Sequence, residues 1–191
     1  MNTPDVTPGD SGFSVERGPD ARERILSAAE SLFAVRGFEG VSTTQIAKVA
    51  GITQPLIHYH FKNKEALECE ATELALRENL QSWTKAIDGR EDPIASLKYW
   101  YLTPEHLGAV DVGCTYAALA AEATRDRPAL QAVFTEAINR QVETLAMELG
   151  DDANRREKAI QAMAQIVGSL ILARSVDDAD LQKEIISAGR S

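Results

Sequence analysis

The chain lacks most of what would mark an enzyme, a metalloprotein or a secreted scaffold. Only two of its 191 residues are cysteines. Cys69 and Cys114 form neither a CxxC pair nor a framework spacing, which argues against a disulfide scaffold or zinc site and for a reducing, cytoplasmic setting. There is no HExxH, no glycine-rich phosphate loop, no Ser/His/Asp set and no carboxylate pair at a telling spacing, so the chain reads as a non-enzyme that needs no cofactor. Long apolar runs are missing too. The longest, AIQAMAQIVGSLILA at 159–173, is too short for a bilayer and is broken by Gln161, Gln165 and Ser169, so no membrane partner is expected. The start, MNTPDVTPGDSGFSVERGPD, has no basic cluster or apolar stretch and does not read as a signal peptide. Its Gly, Pro, Ser and Asp content predicts a flexible arm over 1–19.

What is present is the composition of a folded protein, 44% hydrophobic and 26% charged. The formal charge of −9 is unevenly spread. Residues 20–64 hold six basic and four acidic side chains, whereas 65–191 hold 13 basic and 22 acidic. Only the first of these segments can approach a polyanion without strong repulsion.

Strand-like alternation is absent, and the apolar spacing is helical nearly throughout. This predicts an all-α fold of about nine or ten helices, with an N-terminal helix-turn-helix three-helix domain at 20–64 and a C-terminal helical bundle at 65–191. Asp20 and Glu23 have capping-box spacing ahead of the stripe Ile25, Ala28, Ala29, Leu32 and Phe33, and Gly37 ends that helix. Phe38 and Val41 pack beside it. Ser42 and Gln45 form a second capping box before Ile46, Ala47 and Ala50, and Gly51 breaks the helix. Thr53 is expected to cap a short third helix with Pro55 in its first turn, where a missing N–H costs nothing. A long helix then starts at Lys62 or Asn63 and runs to about Ile87. Further starts fall at Asp92 and Thr103, followed by helices over 113–124, 128–149, 154–174 and about 178–188.

In the third helix Ile52, Ile57 and Phe61 are the packing positions. Gln54, Pro55, Leu56, His58, Tyr59 and His60 are left over its surface, a set suited to a major groove. Gln bonds adenine edges, Pro and Leu meet thymine methyls, and Tyr and His reach phosphates. Lys64 adds a charge at the first turn of the next helix. A metal is not expected: His58 and His60 point about 200° apart on a helix, and His106 is distant in sequence.

The stretch TTQIAKVAGITQPLIHYHFKNKEAL resembles the DNA-binding segment of TetR-family transcriptional regulators, over about residues 20–70. The resemblance implies that Thr43 binds phosphate and Thr44 faces bases or backbone. Gln54, Pro55 and His58 fall on base-reading positions, and Leu56, Tyr59, His60 and Lys64 on phosphate positions. Leu56 departs from the common Ser or Thr, and Thr44 stands where some members carry arginine.

The resemblance further implies a homodimer on double-stranded operator DNA, palindromic in form, joined through helices 128–149 and 154–174. Their apolar stripes are Val133, Ala137, Ile138, Val142, Leu145 and Leu149, then Ile160, Met163, Val167, Leu170 and Ile171; the alternative is that both helices are monomer core. It also implies a small-molecule effector of unknown identity, bound in the 65–191 domain. Trp83, Trp100, Tyr101, Cys114, Tyr116 and Phe134 are the candidate lining, although aromatics at helical spacing also suit plain core. His106 and Glu122 read more as surface groups than as ligand-orienting ones. The expected function is a repressor released by its effector, or else a DNA-binding or adaptor protein that senses nothing.

Overall fold

A computed structural model describes residues 20–110 and 113–191, so the arm expected over 1–19 lies outside the described residues. These residues form ten helices and no strand. They are α1 Ala21–Arg36, α2 Thr43–Ala50, α3 Gln54–His60, α4 Lys64–Ile87, α5 Pro93–Tyr101, α6 Pro104–Gly108, α7 Thr115–Ala123, α8 Pro128–Glu148, α9 Arg155–Arg174 and α10 Ala179–Arg190. Predicted and observed limits differ by a residue or two, because capping residues rather than helical turns occupy the ends. Asn63 settles one open choice. Its side chain accepts from the Ala66 amide at 2.8 Å, so it is the cap and Lys64 opens α4.

The first three helices share a small core. Ile25, Ala29 and Phe33 of α1 meet Phe38, Val41, Ile46, Ala47, Ile57 and Phe61, all fully or almost fully buried. That core continues through Leu67, Ala71, Leu76, Trp83 and Ile87 of α4 into the rest of the molecule. At 24 residues α4 is about 36 Å long. It packs against α1 on one side and against α5, α7 and α8 on others, so it belongs to both halves. Arg22 brackets the same junction, pairing with Glu70 and lying over the Phe61 ring at 5.2 Å.

In the bundle α8 packs along both α4 and α9, and α10 covers α9. Close approach of α10 requires Gly189, where a Cβ would strike Ser169 and Leu102. Arg174 ends α9 by donating to the carbonyls of His106 (2.7 Å), Leu107 (3.1 Å) and Ala109 (3.1 Å), which ties α6 to the bundle. The apolar stripes of α8 and α9 are divided. Val142, Leu145, Met163 and Leu170 are buried within the subunit, while Ile138, Ile160 and Ile171 remain exposed.

One ionisable group at the junction is out of its ordinary range. Glu30 of α1 borders a small void with Thr72 and Ala75 of α4 and Thr115 of α7. Burial, then the nearby Glu78, raises its pKa from 4.5 to about 7. The folded pKa exceeds the unfolded one, so folding stability is fully present below about pH 4.5 and declines as pH rises through 7. Replacing Glu30 with Gln is expected to raise stability at pH 8 by about 1 kcal/mol, a value discounted for the water the carboxyl still meets. Urea melts at pH 4.5 are expected to show no such gain.

Candidate nucleic-acid interface

Two glycine-punctuated turns set the recognition surface. Ser42 accepts from the Gln45 amide at 3.2 Å, and Gln45 accepts from the Ser42 amide at 2.8 Å, so the predicted capping box opens α2. Gly51 closes it in the left-handed conformation at φ 65°, ψ 39°, with its N–H returned to Ala47 and Lys48. The cap expected of Thr53 is not made. Thr53 occupies the N-cap position of α3, yet its side chain forms no cap hydrogen bond, and the turn is held instead by backbone bonds such as Leu56 N–H to the Thr53 carbonyl at 3.0 Å.

With Ile57 and Phe61 turned inward, α3 presents the rest of its surface. Gln54, Pro55, His58 and Tyr59 are exposed, Tyr59 at 82%, while Leu56 and His60 are half-buried. Thr44 is exposed and Thr43 half-buried, one helix away. A link between the two helices was not foreseen from sequence. Gln54 Nε2 donates to Thr43 Oγ1 at 3.1 Å, and Thr44 Oγ1 donates to Gln54 Oε1 at 3.0 Å. Both ends of the Gln54 amide are therefore oriented before anything binds. Tyr59 stacks edge-on against His60, with ring centroids 5.2 Å apart.

Lys64 has protein partners of its own. Its ammonium donates to the Phe38 carbonyl at 2.6 Å and pairs with Glu68 at 3.3 Å, so it faces the junction between α1, α2 and α4. One partner, Glu68, lies a turn along the same helix, while the Phe38 carbonyl comes from the turn before α2. Glu122 departs from the surface reading: its carboxylate accepts from the Phe38 amide at 3.0 Å across 84 positions of sequence.

The expected effector lining is mostly packed. Trp83, Tyr101, Cys114, Tyr116 and Phe134 are each at most 5% exposed. Trp83 meets Tyr101 and Tyr116 edge-on, and Tyr116 meets Phe134. His106 is not a surface group either. Its ring lies 4.4 Å from that of Tyr101, and burial, helped by Arg174, lowers its pKa. Trp100 borders an open groove, of about 460 Å³, with Lys85 and Arg90. Two buried polar atoms in this cluster, Tyr116 Oη and His106 Nε2, have no hydrogen-bond partner, while the Tyr101 hydroxyl meets Cys114. Among the described residues no group of three His, Cys, Asp or Glu side chains is placed to hold a metal, and no helix is long and apolar enough to cross a membrane.

Comparison with known proteins places this arrangement. Residues 25–68 match the family of bacterial regulatory proteins, tetR family. The HTH-type transcriptional regulator LmrA of Bacillus subtilis is 26% identical over 161 residues, covering 80% of this chain and 86% of LmrA. YdgC of the same organism, an uncharacterised HTH-type transcriptional regulator, is 43% identical over 54 residues, and this match spans only 28% of either chain. The crystal structure of reduced Escherichia coli NemR shares the fold with a TM-score of 0.76 at 18% identity, over 90% of this chain and 95% of that one. The module at the N-terminus is thus a DNA-binding helix-turn-helix of a transcriptional regulator rather than part of an enzyme. Residues 25–68 carry the TetR-family segment, and the chain as a whole shares the fold of solved TetR-family regulators.

The caps generate a paired prediction. Ser42→Ala is expected to lower stability by about 1 kcal/mol, whereas Thr53→Ala is expected to leave it within a few tenths. Urea denaturation of both variants checks the difference.

Proposed function

We propose that the protein is a dimeric repressor that binds a palindromic operator and leaves it when a small effector occupies the C-terminal bundle. The observation that carries the DNA part is the paired holding of Gln54 by Thr43 and Thr44 on the exposed face of α3. A glutamine amide fixed at both ends is ready to bond an adenine edge, and it loses little freedom in doing so. In this reading Gln54, Pro55 and His58 read bases, while Thr43, Thr44, Tyr59 and His60 meet backbone or adjoining groups. Leu56, half-buried, packs against sugar or a thymine methyl. Lys64 acts on phosphate only through the general positive field of residues 20–64, since its ammonium is engaged at the junction. The domain division follows the same line: 20–64 binds DNA, and 65–191 dimerises and takes the effector.

Dimerisation is supported by the face of α9 carrying Ile160, Ala164, Gly168 and Ile171. Ile160 and Ile171 are 47% and 41% exposed, and the position of a Cβ on Gly168 is open. Small residues flanked by exposed isoleucines let a second helix approach closely, as in a four-helix interface. Two recognition helices then meet successive major grooves, about 34 Å apart. The effector reading is supported by Tyr116 Oη and His106 Nε2, because buried polar groups without partners are rare and a ligand would satisfy them. Effector binding would favour a subunit arrangement in which the two recognition helices no longer match one face of DNA.

Selection from a random DNA pool tests the operator, with a palindrome expected. Gln54→Ala is expected to relax preference at one base pair per half-site by about 1–3 kcal/mol while leaving the salt dependence unchanged. Unaltered selectivity across operator variants would refute base reading by Gln54. For the dimer, Ile160→Glu combined with Ile171→Glu is expected to give a helical monomer in sedimentation, with operator affinity lost. A thermal-shift screen of small molecules, followed by operator titration, tests the effector. A regulator that senses nothing would show no ligand that changes operator affinity.

A further inference from the structure

The residue Phe38, in the turn between α1 and α2, is gripped on every polar side by the rest of the protein. Its amide donates to Glu122 of α7 at 3.0 Å. Its carbonyl accepts from Lys64 of α4 at 2.6 Å. Arg127, the N-cap residue of α8, lies over its ring at 5.2 Å from the centroid. The Arg127 guanidinium also bonds Glu68 at 2.7 Å and pairs with Glu39, the residue after Phe38. The ring itself is fully buried and packs on Phe33 at 5.0 Å.

The seat is shaped for this contact. Gly37 has φ 67°, a conformation that side-chain-bearing residues resist, and a Cβ there would collide with Glu122 Oε1. Arg127 is delivered by a tight corner in which Asp126 takes φ 56°. Three elements of the C-terminal bundle thus end at one residue of the DNA-binding module. Only one of them, α4, is joined directly to that module in sequence.

We propose that Glu122 and Arg127 are positioning residues that set the angle at which the helix-turn-helix is presented, so that the α7–α8 corner steers it alongside α4. This rests on the reading of the chain as a dimeric operator-binding regulator. With the Phe38 residue held from two sides, the module cannot tilt about α4 alone, and the spacing between the two recognition helices is narrowly fixed. A shift of the corner is delivered to the turn before α2 without passing along the length of α4. Freed of the corner, the module keeps its own core, because Phe33, Phe38, Ile46 and Ile57 do not depend on Glu122.

The test compares the full-length wild type with Glu122→Ala/Arg127→Met, and with Glu122→Gln as the conservative variant that keeps an acceptor oxygen. Two quantities are read, amide exchange at Phe38 by NMR and affinity for the selected operator with half-site spacing altered by one base pair in either direction. Circular dichroism and thermal melting establish that each variant is folded. In the double variant, Phe38 exchange is expected to rise about tenfold, as for loss of one hydrogen bond. Its penalty for the altered spacing is expected to shrink at least about threefold relative to wild type, while Glu122→Gln stays close to wild type. Faster exchange with an unchanged spacing penalty would reduce Glu122 and Arg127 to structural residues and overturn the proposal. Unchanged exchange would overturn it as well. Failure of the wild type to bind any selected DNA would instead refute the operator-binding reading, and Phe38 exchange alone would then decide whether the grip exists.

Discussion

A carboxylate taken out of water must be met by cations, and Glu68 imposes that demand at the centre of this molecule. It is 4% exposed in the first half of α4, where an unpaired charge would be strongly destabilising. Lys64, one turn earlier, supplies one partner, and Arg127 supplies the other from the start of α8. To reach it, α8 must begin beside the first turn of α4, and the turn carrying Phe38 and Glu39 must lie against both. One buried charge therefore decides where the DNA-binding module, the long helix and the bundle converge. Hydrophobic burial holds each half together, but it is not directional and would not by itself choose this meeting point.

The recognition surface follows another logic. Short α3 buries little beyond Ile57, so its stability comes from its neighbours and its outward residues are free for contact. Gln54 is the one exposed side chain there tied at both amide atoms. The opposite bias of charge in the two halves also matters. The bundle is acidic and is repelled by DNA, while the 20–64 segment carries the positive excess. An anionic body with a cationic tip orients on approach, and it discourages contact with phosphate through any other face.

Much of the fold was legible because it rests on local rules. Capping boxes at Asp20 and Ser42, glycines at 37 and 51, and prolines at 55, 93, 104 and 128 each act within a turn of where they stand. The helical stripes located the core, apart from which part of α8 and α9 stays exposed, since that depends on what α4 and α10 cover. The division of α3 into inward Ile57 and Phe61 and an exposed remainder was legible for the same reason. Thr53 shows a limit even here: the right residue type at the right position made no cap. His106 and Glu122 were misread as surface groups because their partners are distant in sequence or supplied by another helix's end, as with Arg174 beside His106. No periodicity records a pairing of Glu122 with Phe38 or of Arg127 with Glu68. The aromatics named as candidate effector lining meet in the fold, but whether such a cluster is packed solid or hollow depends on side-chain fit in three dimensions.

The placement of the aromatics has an optical consequence. The chain has two tryptophans, and both lie in the bundle: Trp83 sealed against Tyr101 and Tyr116, Trp100 partly in water beside His106. Neither is on the helix-turn-helix. The intrinsic emission of the protein is thus a built-in reporter of the bundle, in which a buried blue-shifted fluorophore and a wet one can be told apart by quencher. With both indoles off the proposed recognition surface, a change in emission on adding operator would be a signal that has travelled through the protein.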